Sequence, residues 1–277
     1  MKSIFLSLLN FLFPPSCPVC NTRTETPNSL CQKCFDQITW INDPICARCG
    51  HPLERATQKC PNCILKKGGV DILRSVAVYD DGAKRLVLPF KHSGKLRVSR
   101  FLSATLTGCL LSVPSSGSIV PFAGEGVPRS GGVVVKKFPS KVEGCPALPG
   151  GVVGAYPNST LLLPVPLSYI RQFRRGYNQA AVLARLVGRS TGIPVVYDAV
   201  RRAHRPDQGH KNEAERRKNL SGVFTITKPE IITGKRVIVI DDVVTSGATL
   251  DELSKTLRRA GAKEIIAISF ARVLRQT

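Results

Sequence analysis

Eight cysteines between positions 17 and 63 stand in four Cys-x-x-Cys pairs, and one spacing occurs twice. The first run is Cys17-x2-Cys20-x10-Cys31-x2-Cys34 and the second is Cys46-x2-Cys49-x10-Cys60-x2-Cys63. Neither chance nor core packing readily gives such a repeat. A Cys-x-x-Cys turn converges two thiolates on one ion, and two turns complete a tetrahedral four-thiolate site. Two structural zinc ions are the expectation, with iron–sulfur chemistry as the alternative that spacing leaves open. Sequential pairing, 17/20/31/34 and 46/49/60/63, is the simplest; an interleaved pairing stays open. No ligand remains for an open coordination position, so these sites serve structure or recognition rather than catalysis. Thiolates bind metal only when reduced, which places the chain in the cytoplasm. Cys109 and Cys145 are assigned to no metal.

The stretch before the first pair, MKSIFLSLLNFLFPPSC, is apolar for about a dozen residues, too short to span a bilayer. It lacks a small-residue cleavage site, and Pro14-Pro15 abuts Cys17. A short helix packed on the metal module is expected, with a reversible membrane contact as the alternative. Residues 1–65 thus form a first domain. From 70 to 277 strand and helix patterns alternate, giving an α/β second domain with a parallel sheet flanked by helices. Strands are expected at Ile72–Tyr79, Leu161–Val165, Val195–Tyr197, Val237–Ile240 and Ile265–Phe270. Helices are expected at Ala83–Phe90, Leu96–Leu110, Asn178–Arg189 and Thr249–Ala260, with a turn at Asp81-Gly82 and a basic loop-like region over Val200–Ser221. Residues 113–154 hold nine Gly and six Pro with no sustained periodicity, and read as an insertion or linker.

Within the second domain, VIVIDDVVTSGATL (Val237–Leu250) carries the most chemistry. Two carboxylates at the end of a buried apolar run repel each other and cost desolvation unless cations or hydroxyls meet them. Thr245, Ser246, Gly247, Ala248 and Thr249 suit a tight loop that opens a helix, whose backbone N–H groups form an anion nest. Acids for sugar hydroxyls or Mg2+ beside a nest for a phosphate describe a sugar-phosphate site. The reading set against it is helix capping or a solvated pair.

This segment resembles the 5-phosphoribosyl-1-pyrophosphate (PRPP) signature of type I phosphoribosyltransferases. The resemblance implies that Asp241 and Asp242 hold the ribose hydroxyls and that Thr245 to Thr249 cradle the 5-phosphate, with magnesium accompanying PRPP. LLLPVPLSYIRQFRRGYNQA, CARCGHPL within the cysteine module and ERRKNLSGVF extend the resemblance to the ComF family of competence-associated proteins. It covers nearly the whole chain outside 113–154. It implies a double zinc ribbon followed by a type I phosphoribosyltransferase fold. It also implies a role in natural transformation with incoming single-stranded DNA at the inner face of the membrane, beside DNA-uptake proteins. Arg171, Arg174 and Arg175 then correspond to a pyrophosphate loop, where guanidinium forks suit a diphosphate. Gln208, Arg216, Arg217 and Asn219 match the family's mobile loop. Arg205-Pro206-Asp207 and Lys211-Asn212 depart from its Thr-Pro-x-Gln and Leu-Ser pattern.

Charge agrees with a polyanionic partner. Lys and Arg number 40 against 19 Asp and Glu, a net charge of +21. Twelve Lys/Arg and four Asp/Glu fall between Pro166 and Asn219. Aromatic residues make up only 6%, with Trp40 the sole Trp, so phosphate contacts are expected to dominate over base stacking. Three readings follow: a PRPP-site protein that binds single-stranded DNA, an Mg2+-dependent phosphoribosyltransferase whose acceptor the sequence does not name, and a scaffold between uptake proteins.

Overall fold

A computed structural model describes residues 14–55, 59–65, 69–92, 96–113, 156–204 and 220–274. In chain order the elements are α1 (Gln32–Asp36), α2 (Pro61–Leu65), β1 (Ile72–Val78), α3 (Asp81–His92), α4 (Arg97–Leu111), β2 (Thr160–Pro164), α5 (Tyr169–Arg175) and α6 (Gln179–Thr191). There follow β3 (Val200–Arg202), β4 (Phe224–Ile226), α7 (Pro229–Ile232), β5 (Arg236–Val244), α8 (Ala248–Arg259) and β6 (Glu264–Arg272).

Four strands form one parallel sheet in the order β1-β6-β5-β2. The near-continuous apolar runs of β2 and β5 are explained by cover on both faces. Side chains alternate across the sheet. Ile238, Ile240, Ile266 and Ile268 pack with Leu102, Leu106, Leu183 and Val187 of α4 and α6. Val237, Val239, Ile265 and Ala267 pack on the opposite side with Leu253 and Leu257 of α8 and with Val200 and Phe224. The parallel α/β architecture expected from the alternation is what the chain adopts.

The differences are local and have physical causes. Asp81-Gly82 is not a turn but the first residues of α3, because the Asp80 carboxylate accepts a hydrogen bond from Ala83 N (2.8 Å) and caps the helix. Val195–Tyr197 is not a strand; Val195 alone bridges to Leu162. Part of the basic region Val200–Ser221 is strand: β3 pairs antiparallel with β4 as a two-stranded ribbon. The strand expected at Val237–Ile240 runs on to Val244, so the acidic pair lies within β5, where Asp241 still pairs with Ser269 of β6. The apolar N-terminal stretch, the insertion from residue 114 onward, and Gln208, Arg216, Arg217 and Asn219 lie outside the described residues.

The cysteine module closes one side of the sheet. Ile41 N donates to Val76 O (3.0 Å), Val78 N donates to Thr39 O (2.8 Å), and Leu73 N donates to Arg48 O (2.7 Å). The free edge of β1 is thereby paired. Trp40 anchors this seam, its ring 4.6 Å from that of Phe35 and 6.5 Å from that of Phe101 on α4.

Gly82 sits in the same seam, where an added Cβ would lie 1.9 Å from Gln37 O. Backbone cannot yield as a side-chain tip can. Gly82→Ala should therefore destabilise the protein by about 1–3 kcal/mol, the range for an overpacked site. Gly108→Ala, inside α4 with nothing within 4 Å of its new methyl group, should be neutral or stabilising by up to about 1 kcal/mol. Paired thermal melts check both; equal losses would refute the seam argument.

Candidate functional site

The eight cysteines gather into two clusters, Cys17, Cys20, Cys31, Cys34 and Cys46, Cys49, Cys60, Cys63, with the Sγ atoms of each within 4.8 Å of one another. The structure thus brings together the sequential sets. Each first pair is shaped the same way. Asn21 N donates to Cys17 O and Gly50 N to Cys46 O, both at 2.9 Å, and Asn21 and Gly50 each take φ near +63°. That left-handed residue turns the backbone around the metal position. The later cysteines are placed by short helices: Cys31 is the N-cap of α1, and Cys60 directly precedes α2.

Cys20 and Cys31 Sγ lie 3.4 Å apart and Cys49 and Cys60 Sγ 3.6 Å apart. Thiolates about 2.3 Å from a tetrahedral zinc stand about 3.8 Å from one another, so both clusters fit a zinc tetrathiolate. A hydrogen bond from the Cys49 thiol drives the Cys46 pKa down to about 3, while Cys49 itself is pushed up. The first cluster is likewise split, with Cys20 down to about 6 through the Thr22 hydroxyl and Cys34 pushed up by burial. A bound cation would displace the protons held in each set. The second cluster is tied to the sheet: Arg74 Nη2 donates to Ala47 O (2.8 Å), and Arg272 Nη1 donates to Cys49 O.

At the carboxyl end of β5 the acidic pair folds back on its own backbone. Asp241 Oδ1 accepts from Asp242 N (2.8 Å), and Asp242 Oδ1 accepts from Val243 N (2.7 Å). Asp242 is only 6% exposed, and its Oδ2 makes no hydrogen bond among the described residues. What faces that oxygen is a charge: Lys91 Nζ lies 3.2 Å away, close enough to pair but outside hydrogen-bond geometry. Burial, and then the neighbouring Asp242 carboxylate, push the Asp241 carboxyl up to about 8, against the pull of Lys91. Thr245, Ser246 and Gly247 form the loop that follows. Gly247 takes φ 75° and is the N-cap of α8, which begins at Ala248 and Thr249. Ser246 Oγ accepts from Ala248 N (3.4 Å). The positive end of a twelve-residue helix thus follows the strand that carries the two carboxylates, one short loop after its end.

Lys91 is the residue that sequence reasoning missed. It lies in the last turn of α3, and the RRGYNQ segment holds that turn in place. Gln179 Nε2 donates to Lys91 O (3.2 Å), and Arg175 Nη1 donates to Gln179 Oε1 (3.4 Å). Tyr177 Oη donates to Phe90 O, its ring 5.9 Å from that of Phe90. Asn178 caps α6, accepting from Ala181 N (3.4 Å) while donating to Val165 O (3.1 Å). Arg175 therefore reaches the acidic pair through Gln179 and Lys91. Arg171, Arg174 and Arg175 all stand on α5 rather than in a loop. On the far side, Gly222 N donates to Glu252 Oε1 of α8 (2.7 Å), anchoring the chain just after the basic segment.

A parallel sheet that presents acids, a glycine-capped loop and a helix N-terminus at one strand end, joined to two four-cysteine clusters, defines a class. Residues 8–64 match the double zinc ribbon domain and residues 148–277 the phosphoribosyl transferase domain, so the chain is a phosphoribosyltransferase-fold protein carrying a double zinc ribbon. It is 29% identical to competence protein F of Haemophilus influenzae over 88% of this chain and 91% of that protein. It is 26% identical to DNA utilization protein YhgH of Escherichia coli K12, over 93% of this chain and 90% of that one. With competence protein ComFC of Bacillus subtilis 168 the identity is 25%, over 84% and 79%. Over most of its length the chain is thus similar to the ComF-type competence and DNA utilization proteins.

The raised Asp241 pKa fixes the sign of a pH effect. Between the ordinary carboxylate range and about pH 8, the folded protein holds a proton that the unfolded chain has lost. Stability therefore falls as pH rises through that window. Asp241→Asn removes this dependence: its melting temperature should exceed that of the parent at pH 8, with a smaller difference near about pH 5. Lys91→Met leaves the Asp242 carboxylate buried without its cation and should cost about 3 kcal/mol in denaturant unfolding.

Proposed function

We propose that the end of β5 binds PRPP or a related sugar phosphate together with magnesium, and that the protein also binds single-stranded DNA and acts in DNA uptake. One observation carries the first part. Asp242 Oδ2 is buried and, apart from the Lys91 charge, makes no hydrogen bond among the described residues, on the strand that runs into a loop whose glycine and helix end suit a phosphate. A ribose hydroxyl is the kind of donor such an oxygen lacks. In this reading Asp241 and Asp242 hold the ribose hydroxyls and Thr245, Ser246, Gly247, Ala248 and Thr249 receive the 5-phosphate. Arg171, Arg174 and Arg175 meet the diphosphate. Gln208, Arg216, Arg217 and Asn219, which lie outside the described residues, are the further positions that the family resemblance assigns to this ligand.

The donor set fits magnesium, a hard cation held by one or two carboxylates and substrate phosphates. When bound it would neutralise charge on the diphosphate. The DNA part is supported by the net charge of +21 and by the names of the relatives, which speak of competence and DNA utilization. No described helix is long and apolar enough to cross a membrane.

A second reading is favoured by the complete acid pair and loop: an active phosphoribosyltransferase of nucleotide metabolism. There the C1–oxygen bond to pyrophosphate breaks, the acceptor's lone pair forms the new bond to C1, and pyrophosphate leaves with the electrons. Pyrophosphate release from Mg-PRPP with candidate acceptors tests turnover directly.

Calorimetric titration tests the binding site. Asp241→Ala/Asp242→Ala should weaken Mg-PRPP binding at least about ten-fold, the scale of two lost charge-assisted hydrogen bonds, while leaving DNA affinity unchanged. Affinity for single-stranded DNA should fall at least about ten-fold between 50 and 200 mM salt. Unchanged PRPP binding in the double variant, or DNA binding indifferent to salt, would overturn the corresponding half of the proposal.

A further inference from the structure

Helix α5, Tyr169-Ile170-Arg171-Gln172-Phe173-Arg174-Arg175, buries none of its residues. Tyr169 and Phe173 are each 79% exposed, and Ile170 is 40% exposed. A helix that contributes nothing to the core ordinarily presents polar residues all round. This one places two aromatic rings four residues apart, which sets them as neighbours on one face.

At 3.6 residues per turn the helix divides cleanly. Arg171 and Arg175 share the opposite face, and Arg175 turns to Gln179 and thence to the acidic pair. Exposed Arg174 lies at the border between the arginine side and the aromatic side. Two functions thus lie back to back on one short helix. The arginine side belongs to the sugar-phosphate site, while the aromatic side faces away from it, uncovered and flanked by cationic charge.

We infer that Tyr169 and Phe173 are a stacking platform for the bases of single-stranded DNA. The inference rests on the DNA-binding reading above and gives it a location. Three features favour this occupant. The two residues share one helix face and are open to solvent, so bases can approach their rings. Arg174 lies beside them, and the chain carries net charge +21, complementary to a phosphate backbone. A base in a duplex has both faces covered, whereas an unpaired base has a free face, so single strands are selected without regard to sequence. Low overall aromatic content does not weaken this, because a platform needs only as many rings as bases it seats.

Fluorescence anisotropy with the full-length, zinc-loaded protein tests the inference. Tyr169→Ala/Phe173→Ala is compared with the parent on a labelled single-stranded oligonucleotide and on an abasic strand of the same length and phosphate count. Affinity for the base-bearing strand should drop about five-fold or more for each ring removed. Affinity for the abasic strand, the salt dependence, Mg-PRPP binding and the melting temperature should all hold, because the lost contacts are to bases and the side chains are exposed. Equal affinity of variant and parent for the base-bearing strand overturns the platform. So does an equal loss on both strands, which marks the face as a phosphate or folding element. Failure of the parent to bind either strand at 50 mM salt overturns the DNA-binding reading itself, and the platform falls with it.

Discussion

Everything at the functional end of this molecule depends on how β5 brings two carboxylates out of a sheet covered on both faces. The strand is apolar from Val237 to Ile240 because it is the inner strand between β2 and β6. It stays in the β5–β6 ladder past the acids, to Val244. Asp241 and Asp242 are therefore held rigidly and only partly hydrated. The chain meets the cost with two backbone N–H donors and one ammonium group from α3. Lys91 is in turn held through its carbonyl by Gln179. A site assembled from β5, α3 and the start of α6 is preorganised before any ligand arrives. In the proposed reading an incoming ligand would displace this internal charge partner instead of meeting bare carboxylates.

Much of this was legible in the sequence because the signals are short-range. The repeated cysteine spacing marked both clusters, and the geometry selects the sequential pairing over the interleaved one. The apolar run into Asp-Asp and Thr-Ser-Gly-Ala-Thr marked the strand, loop and helix start, all of which fall where the spacing placed them to within a few residues. What could not be read was tertiary. Nothing local distinguishes Lys91 from other lysines; its role comes from the α3 end meeting a strand some 150 residues later. The β3–β4 ribbon was hidden because Arg201 and Arg202 make a three-residue strand look like a basic loop. Aromatic content is likewise only an average over the chain. A chain-wide 6% says nothing about two rings sharing one helix face.

The seam between the cysteine module and β1 carries a consequence for the whole molecule. Residues 39–41 and Arg48 occupy the hydrogen-bonding groups of the outer strand, and Arg74 and Arg272 reach from the sheet to carbonyls of the second cluster. The module is thus the lid on an otherwise open row of peptide groups, and such a row is a template for pairing with another chain. The metal-binding module thereby guards the sheet against edge-to-edge association, so its cysteines matter to the second domain even where they touch no ligand.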